Sequence, residues 1–243
     1  MTLKTKVLIA LSLLIPVSVC AKVCLVSVGI ADYPGTSSDL RLPTQDAQTV
    51  TWLYSRNTDL VHCQLLNGNA TRAKVIAAMN RTFSQAKEDD IVVFYYSGHG
   101  YPGGFCMYDG NLTYGEIRNA MTRSNCKNKM IFADACFSGK MRTSGRRYSQ
   151  SSIVSAKKAN VMLFLSSRSD EVSFEYPSMQ NGLFTSYLQK GLRGSADINR
   201  DRVITARELF EYVHKNVINE SKDRQHPVMW GKFPDDMPVM KWN

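Results

Sequence analysis

Two residues in this chain have the types that acyl-transfer chemistry requires, and each stands among small neighbours. His99 lies in Tyr95-Tyr96-Ser97-Gly98-His99-Gly100, and Cys136 in Asp134-Ala135-Cys136-Phe137-Ser138-Gly139. A thiol attacks a carbonyl as its thiolate, and a histidine within hydrogen-bond reach can take the proton and later deliver one to a leaving amine. Gly98 and Gly100 let the backbone approach a substrate closely. The amides of Gly100 and Cys136 are candidate donors to the oxyanion formed on the way. A lone cysteine or histidine is ordinarily a packing residue; two such loops in one chain point instead to a nucleophile and its base.

The elements that must position them are legible just upstream. Residues 91–96 and 130–133 are continuous apolar runs rather than alternating ones, the pattern of strands covered on both faces of a parallel sheet. Both motifs therefore fall at strand C-terminal ends, the edge at which open α/β sheets gather their sites. The remaining chain reads as the rest of such a domain. Residues 22–30 form a first strand, Pro43 opens a helix through Tyr54, and residues 59–65 form a second strand. Thr71 caps a helix with the apolar stripe Val75, Met79, Phe83 and Ala86. Residues 101–111, rich in Gly and aromatics, read as a rim loop, and Thr113 with Glu116 as a capping box. A strand over 161–165 ends in a third loop at the same edge, 166–171, followed by a helix over 183–190 that Gly191 stops. Thr205 with Glu208 caps a helix through Val217, and residues 227–231 form the last strand. His214 and His226 read as surface or packing residues.

Of the 243 residues, the first 21 have the form of a removable leader. Lys4 and Lys6 precede an apolar core over 7–19, and Val19-Cys20-Ala21 is a small-residue cleavage site before Lys22. The core falls short of the roughly 20 residues a membrane span needs, and Val19 is bulky for a lipid-modified Cys20. A secreted or periplasmic destination is expected. What remains suits one α/β domain. The formal charge of +9 is concentrated in Lys140, Arg142, Arg146, Arg147, Lys157 and Lys158, a stretch without an acid and with Ser and Gly between. It reads as a solvated loop; no nucleic-acid motif accompanies it. Beyond Cys20 the chain holds Cys24, Cys63, Cys106, Cys126 and Cys136. In an oxidising compartment four can pair, leaving one reactive thiol.

The Tyr-Ser-Gly-His-Gly and Asp-Ala-Cys-Phe-Ser-Gly motifs resemble those of the caspase and metacaspase-like cysteine peptidases. Phe137, where eukaryotic metacaspases usually carry His, places the resemblance with the bacterial form. It extends from about Val23 to Trp230-Gly231 and takes in Asn181-Gly182-Leu183-Phe184. It implies a three-layer α/β/α fold with a mostly parallel sheet of about six strands. It also implies a cysteine endopeptidase with a His99/Cys136 dyad. The domain would comprise a large-subunit-like part over 22–145, a basic linker over 140–158 and a small-subunit-like part over 159–243. In the metacaspase-like branch, acids matching Asp134 and Asp46, with Ser97, line a pocket for Arg or Lys before the scissile bond; Asp170 or Glu171 resembles a further acid of that pocket. Asp46 reads equally well as a carboxylate favoured by the helix dipole. Arg168 argues the other way, for a caspase-like choice of Asp. Neighbouring first and second strands in the family fold imply a Cys24–Cys63 disulfide, and local spacing suggests Cys106–Cys126. A pocket for basic side chains beside a basic loop suggests self-processing, best at Arg146-Arg147.

No cofactor is required for this chemistry. Asp197, Asn199, Asp201, Val203 and Glu208 fall at the ligand positions of an EF-hand calcium loop. Arg202 stands where the sharp turn wants glycine, no clear helix enters, and Glu208 serves the capping box, so a structural turn is favoured over calcium. The expected partners are polypeptide substrates, with no nucleic acid and no membrane beyond the export signal. Two other readings compete. One is a non-catalytic module of the same fold, carrying the calcium-like loop; the other is a thiol oxidoreductase, weakened by the absence of any Cys-x-x-Cys.

Overall fold

The apolar runs form the centre of the molecule. In the computed structural model, which describes residues 21–136, 161–168, 171, 173–176 and 178–242, six strands lie in the order β2-β1-β3-β6-β7-β9. These are β1 (Val23–Gly29), β2 (Leu60–Leu66), β3 (Ile91–Tyr101), β6 (Asn128–Cys136), β7 (Val161–Leu165) and β9 (Val228–Trp230). All neighbours run parallel except β7 and β9. A hairpin of β4 (Gly104–Met107) and β5 (Gly110–Thr113) extends from the end of β3. The stretch expected as a rim loop is thus mostly hairpin, because its glycines serve tight turns; Gly103 and Gly110 both have positive φ.

Helices cover both faces. Helices α2 (Arg72–Phe83) and α3 (Tyr114–Thr122) pack Val75, Met79, Phe83, Ile117 and Met121 against Val92, Phe94 and Tyr96. On the other face lie α1 (Pro43–Asn57), α4 (Leu183–Lys190) and α5 (Ala206–Ser221). They bring Leu53, Phe184, Leu209 and Val213 onto Val93, Phe132 and Phe164. Each fully buried phenylalanine contributes about 2 kcal/mol. The capping residues act as the sequence indicates: Thr71 accepts from Lys74 N, and Thr113/Glu116 and Thr205/Glu208 both close reciprocal boxes. A small antiparallel pair, β8 (Val203–Thr205) with β10 (Pro238–Lys241), had no evident signature in the sequence.

The expected disulfides are corrected by the strand register. Cys24 stands opposite Val61, and Cys63 opposite Val26. With a two-residue offset, about 3.3 Å per residue and about 4.8 Å between strands, their Cα atoms stand about 8 Å apart, beyond the reach of about 7 Å. Cys106 and Cys126 lie at opposite ends of β3, whose 11 residues span roughly 30 Å. Cys106 is in the hairpin paired with Gly100 and Tyr101, whereas the Cys126 thiol lies 2.9 Å from the Asp90 carbonyl. All four are free thiols, and burial pushes those of Cys24 and Cys126 up to about 11.

Candidate active site

His99 and Cys136 are brought together by register. β3 and β6 run side by side from Ile91↔Asn128 to His99↔Cys136, so the proposed base and nucleophile are the last direct partners of that ladder. Cys136 is described by its main chain. Gly100 is paired with Phe105 of the hairpin, which holds the backbone next to His99 in place.

His99 is fixed by two residues of the β1–α1 connection and one of its own strand. Its Nε2 lies 2.7 Å from the Ser38 carbonyl. A carbonyl can only accept, so Nε2 carries the hydrogen and Nδ1 keeps the lone pair a base needs. The His99 N–H donates to Tyr33 Oη at 2.9 Å, and Tyr96 Oη donates to the His99 carbonyl at 2.8 Å. The two tyrosine hydroxyls are 3.1 Å apart, and the Tyr33 ring tilts against the imidazole at 4.8 Å between centroids. Burial pushes Tyr33 up to about 12, so both hydroxyls stay protonated. Gly98 is needed here. Its φ is +151°, and a Cβ would stand 2.6 Å from each hydroxyl.

Beside His99, on the face covered by α1 and α4, two buried carboxylates form an acidic floor. Asp46 is 1% exposed and Asp134 6%. Asp46 accepts from Ser97 Oγ at 2.8 Å, and from Asn181 Nδ2 and the Gly182 N–H at 2.9 Å each. Asp134 accepts from the Thr185 N–H at 3.0 Å, from Thr185 Oγ1 at 2.8 Å, and from Ser173 Oγ. Tyr95 Oη in turn donates to Thr185 Oγ1 at 2.6 Å. The N–H groups of Gly182 and Thr185 belong to the start of α4, whose dipole favours negative charge there. Gly182 separates the acids; a Cβ on it would collide with Asp134 Oδ2 and approach Asp46 Oδ2 to 3.3 Å. Burial, and then the charge of Asp134, raise the Asp46 carboxyl well above the ordinary range; burial raises Asp134 likewise.

These residues line one cleft of about 810 Å³ that takes in His99, Ser38, Ser97, Asp46, Asp134 and Glu175. Glu175 was missed by sequence reasoning. Its carboxyl is raised by burial and by Asp134, against the main-chain N–H of Leu42 and the charge of Arg41. The acid expected in this role, Glu171, is elsewhere: it accepts from His226 N and pairs with His226 Nδ1, both at 2.7 Å, with Arg168 3.6 Å away. His226 Nε2 reaches Asp223 at 2.9 Å, so this histidine ties two segments rather than merely packing. Asp170, Arg146 and Arg147 lie outside the described residues, as do residues 1–20 of the leader.

Ser38, Ser173, Thr185 and Gln225 also escaped the sequence reading, and Tyr33 and Asn181 were given no role at the site there. Gln225 is fully buried; its amide donates to the Ser166 carbonyl and to Ser173 Oγ, and it accepts from Phe174 N–H. It thereby holds the segment that delivers Ser173 to Asp134. The EF-hand-like loop is a turn built on side chains. Asp197 accepts from the N–H groups of Asp201 and Arg202, Asn199 from Asp201, and Asp201 from Val203. Glu208 is turned to Thr205, and among the described residues no three His, Cys, Asp or Glu side chains are placed to share a cation.

The profile of the caspase domain, a peptidase family, matches residues 21–237. Comparison with curated proteins gives no significant match. Among solved structures, a Geobacter sulfurreducens protein superposes with a TM-score of 0.67 at 18% identity, covering 90% of this chain and 97% of its own. The caspase precursor pro-sf-caspase-1 does so with a TM-score of 0.64 at 13% identity, covering 90% and 94%. Both show the same fold, largely parallel sheet and flanking helices included. With the profile spanning nearly the whole described domain, the chain belongs to the caspase domain family, whose members are peptidases.

Proposed function

We propose that this protein is a secreted cysteine endopeptidase that cleaves after Arg or Lys. The observation that carries the specificity is the pair of buried carboxylates, Asp46 and Asp134, opening into the same cleft as His99. A guanidinium or ammonium entering there supplies the positive charge that the neutral hydroxyl and amide donors do not. An uncharged or acidic side chain returns none of that interaction. Burial and mutual repulsion keep protons on these acids in the empty pocket, and a cationic side chain would stabilise their ionised form.

In this reading His99 Nδ1 takes the Cys136 proton, and the thiolate attacks the scissile carbonyl. The Gly100 and Cys136 amides receive the oxyanion, each such donor being worth about 3 kcal/mol of barrier in a comparable site. His99 then protonates the leaving amine, and water hydrolyses the thioester. The Ser38 carbonyl keeps the imidazole in the tautomer this sequence needs. The basic stretch over 140–158, with Arg146-Arg147, is the proposed place of self-processing. Its proximity along the chain to Cys136 raises the local concentration of its own sites.

The test is a peptidyl electrophile ending in Arg. It should modify Cys136 stoichiometrically, while the Asp-terminated analogue reacts far more slowly. Preference for the Asp reagent, or labelling that persists in Cys136→Ala, overturns the reading. Sequencing fragments from active and Cys136→Ala protein tests self-processing: cuts after basic residues in 140–158 should vanish in the variant.

A further inference from the structure

We propose that Asp90 is a receptor for the amino terminus created when the leader is removed between Ala21 and Lys22. The proposal rests on the export reading above and adds a site at the sheet edge opposite the cleft. Asp90 is 8% exposed and ends the turn before β3. Its Oδ1 accepts from the backbone nitrogen of Lys22 at 2.9 Å, and its Oδ2 from that of Lys87 at 2.7 Å. Lys22 is held on its other side as well: its carbonyl accepts from Ile91 N at 2.9 Å, and the next residue, Val23, donates to the Asp59 carbonyl at 2.8 Å. The Asp90 carbonyl is fixed too, at 2.9 Å from the Cys126 thiol and 3.0 Å from Asn128 Nδ2.

Among the described residues no side-chain cation lies within ion-pair distance of Asp90; both donors to its carboxylate are main-chain nitrogens. A buried carboxylate held only by neutral donors is incompletely compensated. Removal of the leader changes one donor. A leader-removing peptidase adds water across the Ala21–Lys22 bond, leaving a carboxylate on Ala21 and a primary amine on Lys22 that takes up a proton. That ammonium is formed on the same nitrogen that already stands 2.9 Å from Asp90 Oδ1. Lys22 is only half-buried, so its remaining hydrogens can reach water. Two independent observations thus fall on one atom. The small-residue cleavage site ends immediately before Lys22, and the fold aims a buried carboxylate at the nitrogen of Lys22. The ion pair would lock the start of β1 to the start of β3 only in the mature chain.

The full-length precursor is expressed in an exporting host and the recovered protein sequenced from its amino terminus. Lys22 is the expected first residue; a different start overturns the proposal and, by itself, leaves the peptidase chemistry standing. Two mature chains are then compared, one beginning at Lys22 and one carrying a single extra Gly before it. The extension should lower the melting temperature by about 4 °C in the native background. In Asp90→Asn, which keeps the acceptor oxygen and loses the charge, the two chains should melt together. An equal shift in both backgrounds, or none in either, overturns the proposal. Should Asp90→Asn fail to fold, acylation of the α-amine decides: in the folded native protein it should run about tenfold slower than in urea, because a paired ammonium holds its proton. Equal rates would defeat the idea.

Discussion

The two edges of one sheet bury carboxylates in different company. At the C-terminal edge Asp46 and Asp134 sit close to each other, satisfied by hydroxyls, an amide side chain and the first N–H groups of α4, and open to a cleft. At the N-terminal edge Asp90 stands alone, gripped by two main-chain nitrogens of its own chain. Hydrogen bonds satisfy the oxygens in both places, but they do not neutralise charge. In the proposed function the missing cation at one edge comes from outside, as the side chain of a substrate. At the other, in the further proposal, it comes from the chain itself. The two proposals assign one edge's acids to a ligand and the other's to the fold, and each can be removed independently.

The largest expected effect tests whether the C-terminal edge holds the chemistry at all. Cys136→Ala and His99→Ala should each lower peptide hydrolysis by about 10^4-fold or more, since loss of either member disables the same step. Melting curves of the variants should match the parent. Residual turnover in the Cys136 variant, with contamination excluded, would remove the functional half of the comparison.

Next come the acids themselves. Asp134→Asn should reduce kcat/KM for Arg substrates about 100-fold, the usual cost of stripping one charge from a buried pair. The matching change at the other edge, Asp90→Asn, should leave kcat/KM within about twofold and lower the melting temperature instead. If Asp90→Asn cripples Arg cleavage, or Asp134→Asn proves silent, the division of labour between the edges fails.

The raised carboxyls give the cleft a pH signature. In the proposed reading Arg favours the ionised pair, so the preference for Arg over its uncharged isostere citrulline should grow with pH, about tenfold per pH unit for each proton released, until the acids are ionised. Taking the ratio for one enzyme cancels every pH effect common to the two substrates. Stability runs the other way. A carboxyl whose value is raised on folding binds a proton more tightly in the native state. Its contribution is therefore full at acid pH and is lost as pH rises from the ordinary aspartate range through the raised value. Thermal melts across that range should show the decline, and Asp134→Asn should flatten it. A ratio that does not change with pH would mean that the cleft does not use these acids.

How far the sequence reaches depends on whether the signal is local. The strands were legible because burial on both faces forces uninterrupted apolar runs, as in 91–96 and 161–165, and the caps because Thr-x-x-Glu is a contiguous pattern. The candidates His99 and Cys136 were marked by their small neighbours. The groups that hold His99 and the buried acids were not. Ser38 and Tyr33 reach His99 across 61 and 66 residues, and Thr185 reaches Asp134 across 51. Ordinary hydroxyls and carbonyls carry no mark of such distant duties. The disulfides failed for a related reason: neighbouring strands were foreseen, but pairing depends on register, which spacing does not encode. Glu171 and Glu175 show the same limit, since residues four apart in an irregular segment face different partners.

The smallest effect concerns the hydroxyl pair behind the histidine. Tyr33→Phe removes one oxygen and keeps the ring that tilts against the imidazole at 4.8 Å. The His99 N–H then loses its acceptor at 2.9 Å, and Tyr96 Oη loses a neighbour at 3.1 Å. A lost neutral hydrogen bond costs about 1 kcal/mol, which is about fivefold in a rate when the bond positions the base. Tyr33 bonds to the His99 side of the cleft and not to the partners of Asp46 or Asp134, so the loss should fall on kcat and leave KM for Arg substrates unchanged. Tyr96→Phe, which strips the donor to the His99 carbonyl, should act in the same direction. Because Gly98 has room for no Cβ between the two hydroxyls, Gly98→Ala in the Tyr33→Phe background should do less additional harm than in the parent. A rise in KM with kcat unchanged would place Tyr33 in substrate binding and break the separation between the part of this edge that orients the base and the part that selects the side chain.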